Sequence, residues 1–320
     1  ISSAASDVYK RQGDNNISKF DINTLKLTEY LKETVGTQTG YSGEAIYNPD
    51  KQETYFYNLA DIGGQTGPFF STISDKDLPT RIVSPQFSNP LHHHAYFFDQ
   101  ASQSLYIFGG YGNYQYSNLT YQYDFDHGAW KEIQFTGDVI YPRMHTVAGK
   151  GPVEGSFFVF GGVGNETGKQ ELGKDFFCDL YLFDTSKHIV KKLWSRAFPD
   201  NYFIPTRGLV FDSKKECIYL LCIDRKTTNA SLHRFDVKTG EHAIVSNEIV
   251  FQTNCILSTA YLFNNPKDNE LYAIIRYSED NNPKAKISVY KLNAPPITYQ
   301  ELKKWNTDDD NEAGRAYLYY

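Results

Sequence analysis

Three consecutive histidines, His92, His93 and His94, are the residues of this chain whose type and spacing most suggest a chemical role. Imidazole nitrogens bind transition metals when two or three of them converge on one point. The flanking residues alternate as in a β-strand, however, and adjacent strand side chains point to opposite faces, so only His92 and His94 can share one. We therefore expect a structural, hydrogen-bonded role for these histidines and no copper or zinc site.

Other catalytic signatures are missing from the sequence. The chain contains no G-x-S-x-G nucleophile elbow, no H-E-x-x-H zinc helix and no glycine-rich phosphate loop. Carboxylate pairs such as Asp124 and Asp126 lie in turn-like segments, where they usually cap backbone amides. We therefore expect no catalytic residues and no cofactor.

The elements that must position any site are short β-strands. Between residues 144 and 194, four apolar-alternating runs are separated by turn residues: M-H-T-V-A-G, S-F-F-V-F-G-G, D-L-Y-L-F-D and H-I-V-K-K-L-W. This pattern indicates a four-stranded antiparallel meander. The meander also occurs one unit upstream, so that the double glycines recur 52 residues apart, from Gly109-Gly110 to Gly161-Gly162. A period of about 50 residues with four strands per unit is typical of propeller blades.

The paired glycines, the Tyr/Phe-Asp pairs ending at Asp124 and Asp184, and Trp130 resemble kelch repeats. The resemblance is specific in the third and fourth units; elsewhere it is limited to strand pattern and spacing. In the fifth unit, Cys222 and Ile223 occupy the positions of the two glycines. The resemblance implies an all-β fold, a kelch-type β-propeller. It also implies a structural histidine at His145, with which we align His94.

The number of blades is predicted from the residue that ends the third strand of each unit. These acidic or amide residues are separated by 49 to 60 residues: Asp21, Asp75, Asp124, Asp184, Asp236 and Asn293. The regularity predicts six blades of four antiparallel strands. Residues 315–320 are predicted to be the innermost strand of the blade whose outer strands are 17–21 and 25–31, which leaves the ring one strand short.

Composition excludes several classes of function. The net charge of −6 argues against a nucleic-acid-binding surface, which would need a basic face. Aromatic residues make up 16% of the chain, which favours strands over helices. The longest apolar run is too short to span a membrane. The four cysteines, Cys178, Cys217, Cys222 and Cys255, are too irregularly spaced for a disulfide framework and are expected to be buried.

The first residues need separate treatment, because residues 2–12, S-S-A-A-S-D-V-Y-K-R-Q, resemble an in-frame translation of a sequencing-library adaptor. We interpret residues 1–12 as an artefact and exclude them from the fold. The natural chain is then a metagenomic fragment of expected bacterial origin, with a propeller at 13–306 and an acidic linker with a truncated strand at 307–320. We expect a periplasmic or cell-envelope location, because the true start is missing.

Kelch-like propellers include copper radical oxidases related to galactose oxidase. Their activity requires a Tyr-His ligand pair and a Cys cross-linked to a Tyr, and this chain has no Tyr-His dipeptide. The favoured function is therefore a non-catalytic module of a larger protein that binds a protein or a glycan and has a sensory role. The alternative is a sugar-modifying enzyme of the epimerase or mutarotase type, which rests on fold analogy.

The binding face is predicted from loop length. Connections alternate between the two ends of a meander, and the long ones, 111–117, 163–177, 196–205 and 278–283, follow second and fourth strands. Binding usually resides on such loops. Their aromatic residues are expected to contact the ligand: Tyr111, Tyr114, Tyr116, Phe176, Phe177, Tyr202 and Phe203. We also expect His92, Arg143 and Arg207 to form a cationic patch at the channel mouth for an anionic ligand.

Overall fold

The computed structural model describes residues 7–12, 16–21, 26–32, 44–59, 69–74, 80–82, 91–125, 127–197, 203–250, 259–265, 270–278, 285–292 and 294–296. Regular structure in these ranges is β-strand, apart from a 3₁₀ turn at Gln170–Leu172. No helix in the described ranges is long and apolar enough to cross a membrane. The all-β prediction is confirmed.

The first sheet differs from the expectation for the chain's start. It consists of β1 (Asp7–Gln12), β2 (Asn16–Asp21) and β3 (Lys26–Lys32), in that order. The segment that we excluded thus pairs antiparallel with β2, from Asp7 opposite Asp21 to Gln12 opposite Asn16. Strand pairing uses backbone groups that any sequence supplies. The adaptor origin therefore stays a prediction.

The second and third sheets are four-stranded meanders, as predicted. The second sheet contains β4 (Glu44–Asn48), β5 (Glu53–Asn58), β6 (Phe69–Ser74) and β7 (Thr80–Ile82). The third contains β8 (Ala95–Asp99), β9 (Ser104–Phe108), β12 (Thr120–Asp124) and β13 (Ala129–Ile133). Between β9 and β12 the chain forms a separate hairpin of β10 (Tyr111–Gly112) and β11 (Gln115–Tyr116).

The fourth sheet has more strands than the predicted four. Its strands are β14 (Thr136–Gly137), β15 (Arg143–Met144), β16 (Val147–Lys150), β17 (Ser156–Gly164), β18 (Asp175–Asp184) and β19 (Ile189–Ser195). The short β14 pairs in parallel with the outer strand β19. A Cβ on Gly137 would lie 2.2 Å from the Val190 carbonyl oxygen, so only glycine fits at this contact.

The fifth sheet contains β20 (Phe203–Asp212), β21 (Cys217–Asp224), β22 (Ala230–Asp236) and β23 (His242–Ile244). The sixth contains β24 (Thr259–Asn265), β25 (Glu270–Ser278) and β26 (Ala285–Leu292). A parallel bridge between Arg207 and Tyr261 joins the innermost strands of these two sheets. The spacing also predicts a fourth strand of the sixth unit at 297–302, and this strand and the predicted strand 315–320 lie outside the described residues.

Apolar side chains fill the spaces between consecutive sheets. One core cluster lies between the second and third sheets, and others lie between the third and fourth, the fourth and fifth, and the fifth and sixth. The innermost strands are in backbone contact. A Cβ on Gly149 of β16 would lie 2.2 Å from Leu209 O, and one on Gly208 of β20 would lie 2.1 Å from Leu262 O. Sheets packed face to face around their first strands form a propeller, whereas the count of six blades stays a prediction.

The acidic repeat residues lie at the ends of strands. Four third strands end at the expected acidic residue: Asp21, Asp124, Asp184 and Asp236. The Asp236 carboxylate accepts the amides of Lys238 and Thr239 (2.9 and 2.6 Å), which is turn capping. The described cysteines, Cys178, Cys217 and Cys222, are buried as expected. Asp75, Asp126, Cys255 and Asn293 lie outside the described residues.

Candidate binding site

The longer connections of the third and fourth sheets meet at one end of the molecule. Tyr116 N–H donates to Gly168 O (2.7 Å), and Gln170 N–H donates to Tyr114 O (3.2 Å). The segment before β15 packs on them, since Asn165 N–H donates to Pro142 O (3.2 Å). We call the hairpin 111–116, the loop 165–174 and the segment 139–142 the crown. The short turns lie at the opposite end.

Parts of the predicted loops are regular strand. Gly162 pairs with Phe177 and Val163 pairs with Phe176, so both phenylalanines lie on β18, and Phe203 begins β20. The prediction that these three aromatics lie in loops was wrong. Its physical reason is a bulge at the glycine pair, which absorbs the irregularity and lets the β17–β18 pairing resume beyond it.

The three tyrosines of the crown hairpin separate into one exposed and two packed side chains. Tyr114 is 81% exposed and occupies the hairpin turn, with φ of +62°. Tyr116 is buried, and Tyr111 is partly buried and donates its O–H to Gln170 Oε1. Tyr202 lies outside the described residues. Of these residues, Tyr114 is therefore the one that presents its ring to a partner.

The three phenylalanines contact cations or imidazoles. The Arg225 guanidinium carbon lies 4.5 Å from the Phe176 ring centre, and that of Arg143 lies 3.9 Å from the Phe177 ring centre. The Phe203 ring meets the His233 imidazole edge to face, with centroids 4.8 Å apart. Such contacts fix aromatic side chains in place, so these residues support the face.

Arg143 is a structural residue, which corrects its assignment to an open cationic patch. The side chain is buried, and its Nη1 and Nη2 donate to the Asp179 carboxylate at 2.7 and 3.2 Å. Nη1 also donates to Gly161 O, and Nε donates to Tyr141 O. A buried guanidinium is stabilised only when such partners satisfy its donors. Its donors therefore hold β15 and β17 together.

Arg207 forms an ion pair with Glu44, a residue that the sequence reasoning missed. Glu44 begins β4 of the second sheet and is buried, whereas Arg207 lies on β20 of the fifth sheet. In the predicted six-bladed ring these sheets stand opposite each other. Burial alone would lower the pKa of Arg207, but the charge of the Glu44 carboxylate raises it. A charged residue at the start of a first strand is the signal that could have identified this pair.

The imidazoles of two neighbouring sheets converge at the seam between the third and fourth sheets. His92 Nδ1 lies 2.6 Å from His93 Nδ1, and the rings of His93 and His145 lie 4.2 Å apart. His145 N–H donates to His93 O, and both residues have left-handed backbones, with φ of +56° and +57°. His145 therefore corresponds to His93, and our alignment with His94 was one residue off. His94 is buried and lies 2.9 Å from the Tyr57 hydroxyl.

These histidines are uncharged at neutral pH. Burial, followed by the charges of neighbouring groups, lowers the pKa of His94 to about 3 and that of His145 to about 4. Burial also lowers the pKa of His92 and His93. Since Arg143 and Arg207 are both paired, the expected cationic patch is a group of neutral imidazoles beside two occupied guanidinium groups.

Among the described residues, further imidazole and hydroxyl groups form a hydrogen-bonded row on the fifth sheet. The part of the chain that the structure describes has no group of three His, Cys, Asp or Glu residues able to hold a metal. Ser231 Oγ lies 2.9 Å from His233 Nε2, and His233 Nδ1 lies 2.9 Å from His242 Nε2. Burial lowers the pKa of His233 to about 3, which makes it too weak a base at neutral pH. This row is a buried hydrogen-bond chain.

A comparison with protein-family models gives a match over residues 70–264, which is more than half of the chain. The matching model is described as the KLHDC2/KLHL20/DRC7 Kelch-repeats domain. The match includes the last two strands of the second sheet and all of the third, fourth and fifth sheets. The comparison with curated proteins finds no match for this chain.

Proposed function

Because the chain belongs to the kelch-repeat family, we propose that it is a non-catalytic propeller that binds a protein partner on the crown. Kelch-repeat domains typically mediate protein binding. The observation that carries the proposal is the exposure of large apolar side chains on the crown. Tyr114 is 81% exposed, Leu172 is 62% exposed and Tyr141 is 41% exposed. Aromatic and aliphatic side chains displayed in this way are the usual anchors of protein interfaces.

The crown is held in shape before any partner arrives. Backbone hydrogen bonds join its hairpin to its loop, and Asn165 Nδ2 donates to Lys169 O (2.8 Å) and Gly173 O (2.7 Å) inside the loop. Arg143, held by Asp179, supports the crown from below. A preorganised surface loses less conformational entropy on binding. This rigidity supports a docking role for residues that are otherwise exposed.

The crown carries charges of both signs around its apolar side chains. The exposed charged residues of the loop are Glu166, Lys169, Glu171 and Lys174. Protein interfaces commonly have an apolar centre and a polar rim. The mixed rim supports a polypeptide partner over a simple anion, for which free cations would be needed.

A second function, a sugar-modifying enzyme, is favoured by the polar groups around the channel. Glu44, Arg207 and the phenols of Tyr57, Tyr96 and Tyr261 influence one another electrostatically. Converging ionisable groups with shifted pKa values are typical of active sites. Here, however, Glu44 is paired with Arg207, and Tyr57 contacts His94. These contacts make an ion-paired structural centre the better explanation, so this function ranks second.

The test is a binder selection followed by affinity measurements. A displayed peptide library and a glycan panel are screened against the purified chain, and the Kd of each enriched binder is measured by calorimetry. The double variant Tyr114→Ala/Leu172→Ala removes two exposed anchors of the crown, one on the hairpin and one in the loop. We expect peptide binders whose Kd rises at least about tenfold in this variant, because interface anchors typically contribute more than about 1 kcal/mol each.

The matched control is Ile244→Ala/Val250→Ala, which removes apolar side chains that are 54% and 70% exposed in the fifth repeat, outside the crown. Peptide affinity should be unchanged in this control. Enriched peptides that bind both double variants as tightly as the original chain would reject the crown. Selection of glycans alone would reject a protein partner, and turnover of a sugar in the panel would favour the enzyme.

A further inference from the structure

A continuous series of contacts links the imidazoles at the seam between the third and fourth sheets to the crown. The His145 and His93 rings lie 4.2 Å apart, and His93 Nδ1 lies 2.6 Å from His92 Nδ1. His92 and Tyr111 exchange two backbone hydrogen bonds of 2.9 Å, and their rings lie 5.0 Å apart. Tyr111 in turn donates its hydroxyl to Gln170 in the crown loop. The position of the hairpin therefore depends on the packing of the three imidazoles.

The charges that face this group would oppose its protonation. Arg207 on β20 and Lys174 in the crown loop act on His145 and lower its pKa, after burial. Glu44 on β4, the carboxylate in this environment, is paired with Arg207. The other titratable groups that face the imidazoles or Arg207 are His94 and the phenols of Tyr57, Tyr96, Tyr111 and Tyr261. Added protons would therefore place like charges a few ångströms apart.

The backbone at the seam is also strained. His93 and His145 have φ of +57° and +56°, in the left-handed region that residues other than glycine adopt uncommonly, although Asn, Asp and His do so more often than the rest. Such conformations persist only when the surrounding contacts enforce them. The close contact of the two tilted rings and the His145 N–H to His93 O hydrogen bond are contacts of this kind. Loss of the ring contact would remove part of what holds both backbones.

We propose that His92, His93 and His145 form an acid-sensitive latch that holds the crown closed at neutral pH and releases its hairpin in acid. The biological role of the latch rests on the proposed function, since opening of the crown would release the partner. The opening itself can be observed without a partner. The direction of the pH dependence follows from the linkage between proton binding and crown opening. The latched histidines have pKa values below the ordinary value of about 6.5, so the closed crown binds fewer protons than the open one. Falling pH therefore favours opening, from about 6.5 down to the pKa of His145 at about 4.

The experiment is amide hydrogen exchange of the full chain between pH 7.5 and 5.0, corrected for the intrinsic pH dependence of exchange. The reporting amides are those of Tyr116 and Gln170, which bridge the hairpin and the loop. The reference amide is that of Val237, which donates to Glu216 O (2.9 Å) at the opposite end. We expect protection of the crown amides to fall at least tenfold at pH 5.0, with a smaller change at the reference.

The variant His93→Asn/His145→Asn removes two titrating groups while keeping a side chain that accepts the left-handed backbone. Its crown protection should depend on pH much less than that of the original chain, since His92 is the one latch imidazole that it keeps. The control His242→Phe removes an imidazole that lies away from the crown and whose pKa burial also lowers. Its crown protection should show the same pH dependence as that of the original chain. Equal loss of protection at crown and reference amides, or an unchanged pH dependence in the Asn variant, would overturn the latch. If amide protection of the crown depends on pH but the selection yields no peptide that binds the crown, the latch is supported and only the docking function is rejected.

Discussion

The fourth and fifth repeats carry different residues at the two positions of the glycine pair, and this difference shows how the crown is built. In the fourth repeat, Gly161 and Gly162 have φ of +62° and +113°, and β17 bulges there. In the fifth, Cys222 and Ile223 continue β21 in register with Ser231 and Ala230, without a bulge. The fourth repeat continues into the crown loop, whereas the fifth makes a tight turn at Asp224.

The glycine pair therefore marks the end of the regular second strand, beyond which a repeat continues into the crown. The third repeat follows the same rule, since a Cβ on Gly109 would lie 2.8 Å from the Arg143 carbonyl oxygen of the next repeat. Close backbone approach of this kind is available only to glycine. The loss of both glycines in the fifth repeat leaves the blade intact but ends the crown at that seam.

The largest expected effect comes from removing the ion pair under the crown. Arg143→Ala leaves the Asp179 carboxylate, which is buried, without its guanidinium partner. Breaking a buried ion pair on one side typically costs about 3–5 kcal/mol. We expect the free energy of unfolding, measured in urea, to fall by about this amount.

Two variants control for this effect. Arg143→Met/Asp179→Leu removes both charges and should regain most of the stability, because an apolar pair avoids the uncompensated charge. Arg225→Ala removes a cation from the Phe176 ring at an exposed position of the fifth repeat and should cost about 0.5–1 kcal/mol. A loss no larger for Arg143→Ala than for Arg225→Ala would contradict the structural role of Arg143.

A smaller loss is expected when the glycine pair of the fourth repeat acquires a side chain. In Gly162→Ala the new Cβ would lie 2.7 Å from both Met144 O and Thr146 Cγ2, in a backbone with φ of +113°. Strain and overpacking together are expected to lower the unfolding free energy by about 2–4 kcal/mol. Urea unfolding monitored by tryptophan fluorescence measures the change.

Two substitutions at related positions distinguish the effect of close approach from those of backbone strain and of core truncation. Gly173→Ala also has positive φ but meets no atom within 4 Å, so it should cost only about 1 kcal/mol of backbone strain. Cys222→Ala replaces the residue that stands in the glycine position of the fifth repeat, and it should behave as a core truncation of about 1–2 kcal/mol. If Gly162→Ala were as mild as Gly173→Ala, close approach would not explain the glycine pair.

Much of the fold could be predicted from the sequence, because strands and turns leave local signals. Alternating apolar residues located the strands of the second to sixth sheets to within a few residues, and acidic residues such as Asp124 and Asp236 located their turns. The added strand β14 left no such signal, since its two residues are fixed by contact with β19 rather than by their own pattern.

The candidate site was less predictable, because it depends on which side chains meet across different sheets. The shared end of the long connections followed from meander geometry. The partners of Arg143 and Arg207 did not, because Asp179 and Glu44 lie on other strands, and in the second case on another sheet. The exposure of Tyr114 and the burial of Tyr116 likewise depend on a two-residue hairpin turn, which holds Tyr114 at its tip while Tyr116 pairs with Tyr111.

Docking on the crown is tested most directly by a hydroxyl-radical footprint of the chain with and without a selected peptide binder. We expect binding to protect Tyr114, Leu172 and Tyr141, which are exposed anchors of the crown, while Ile244 and Val250 keep their reactivity. Protection confined to the short-turn end, or to Ile244 and Val250, would contradict the claim that the glycine-marked repeats build the docking surface.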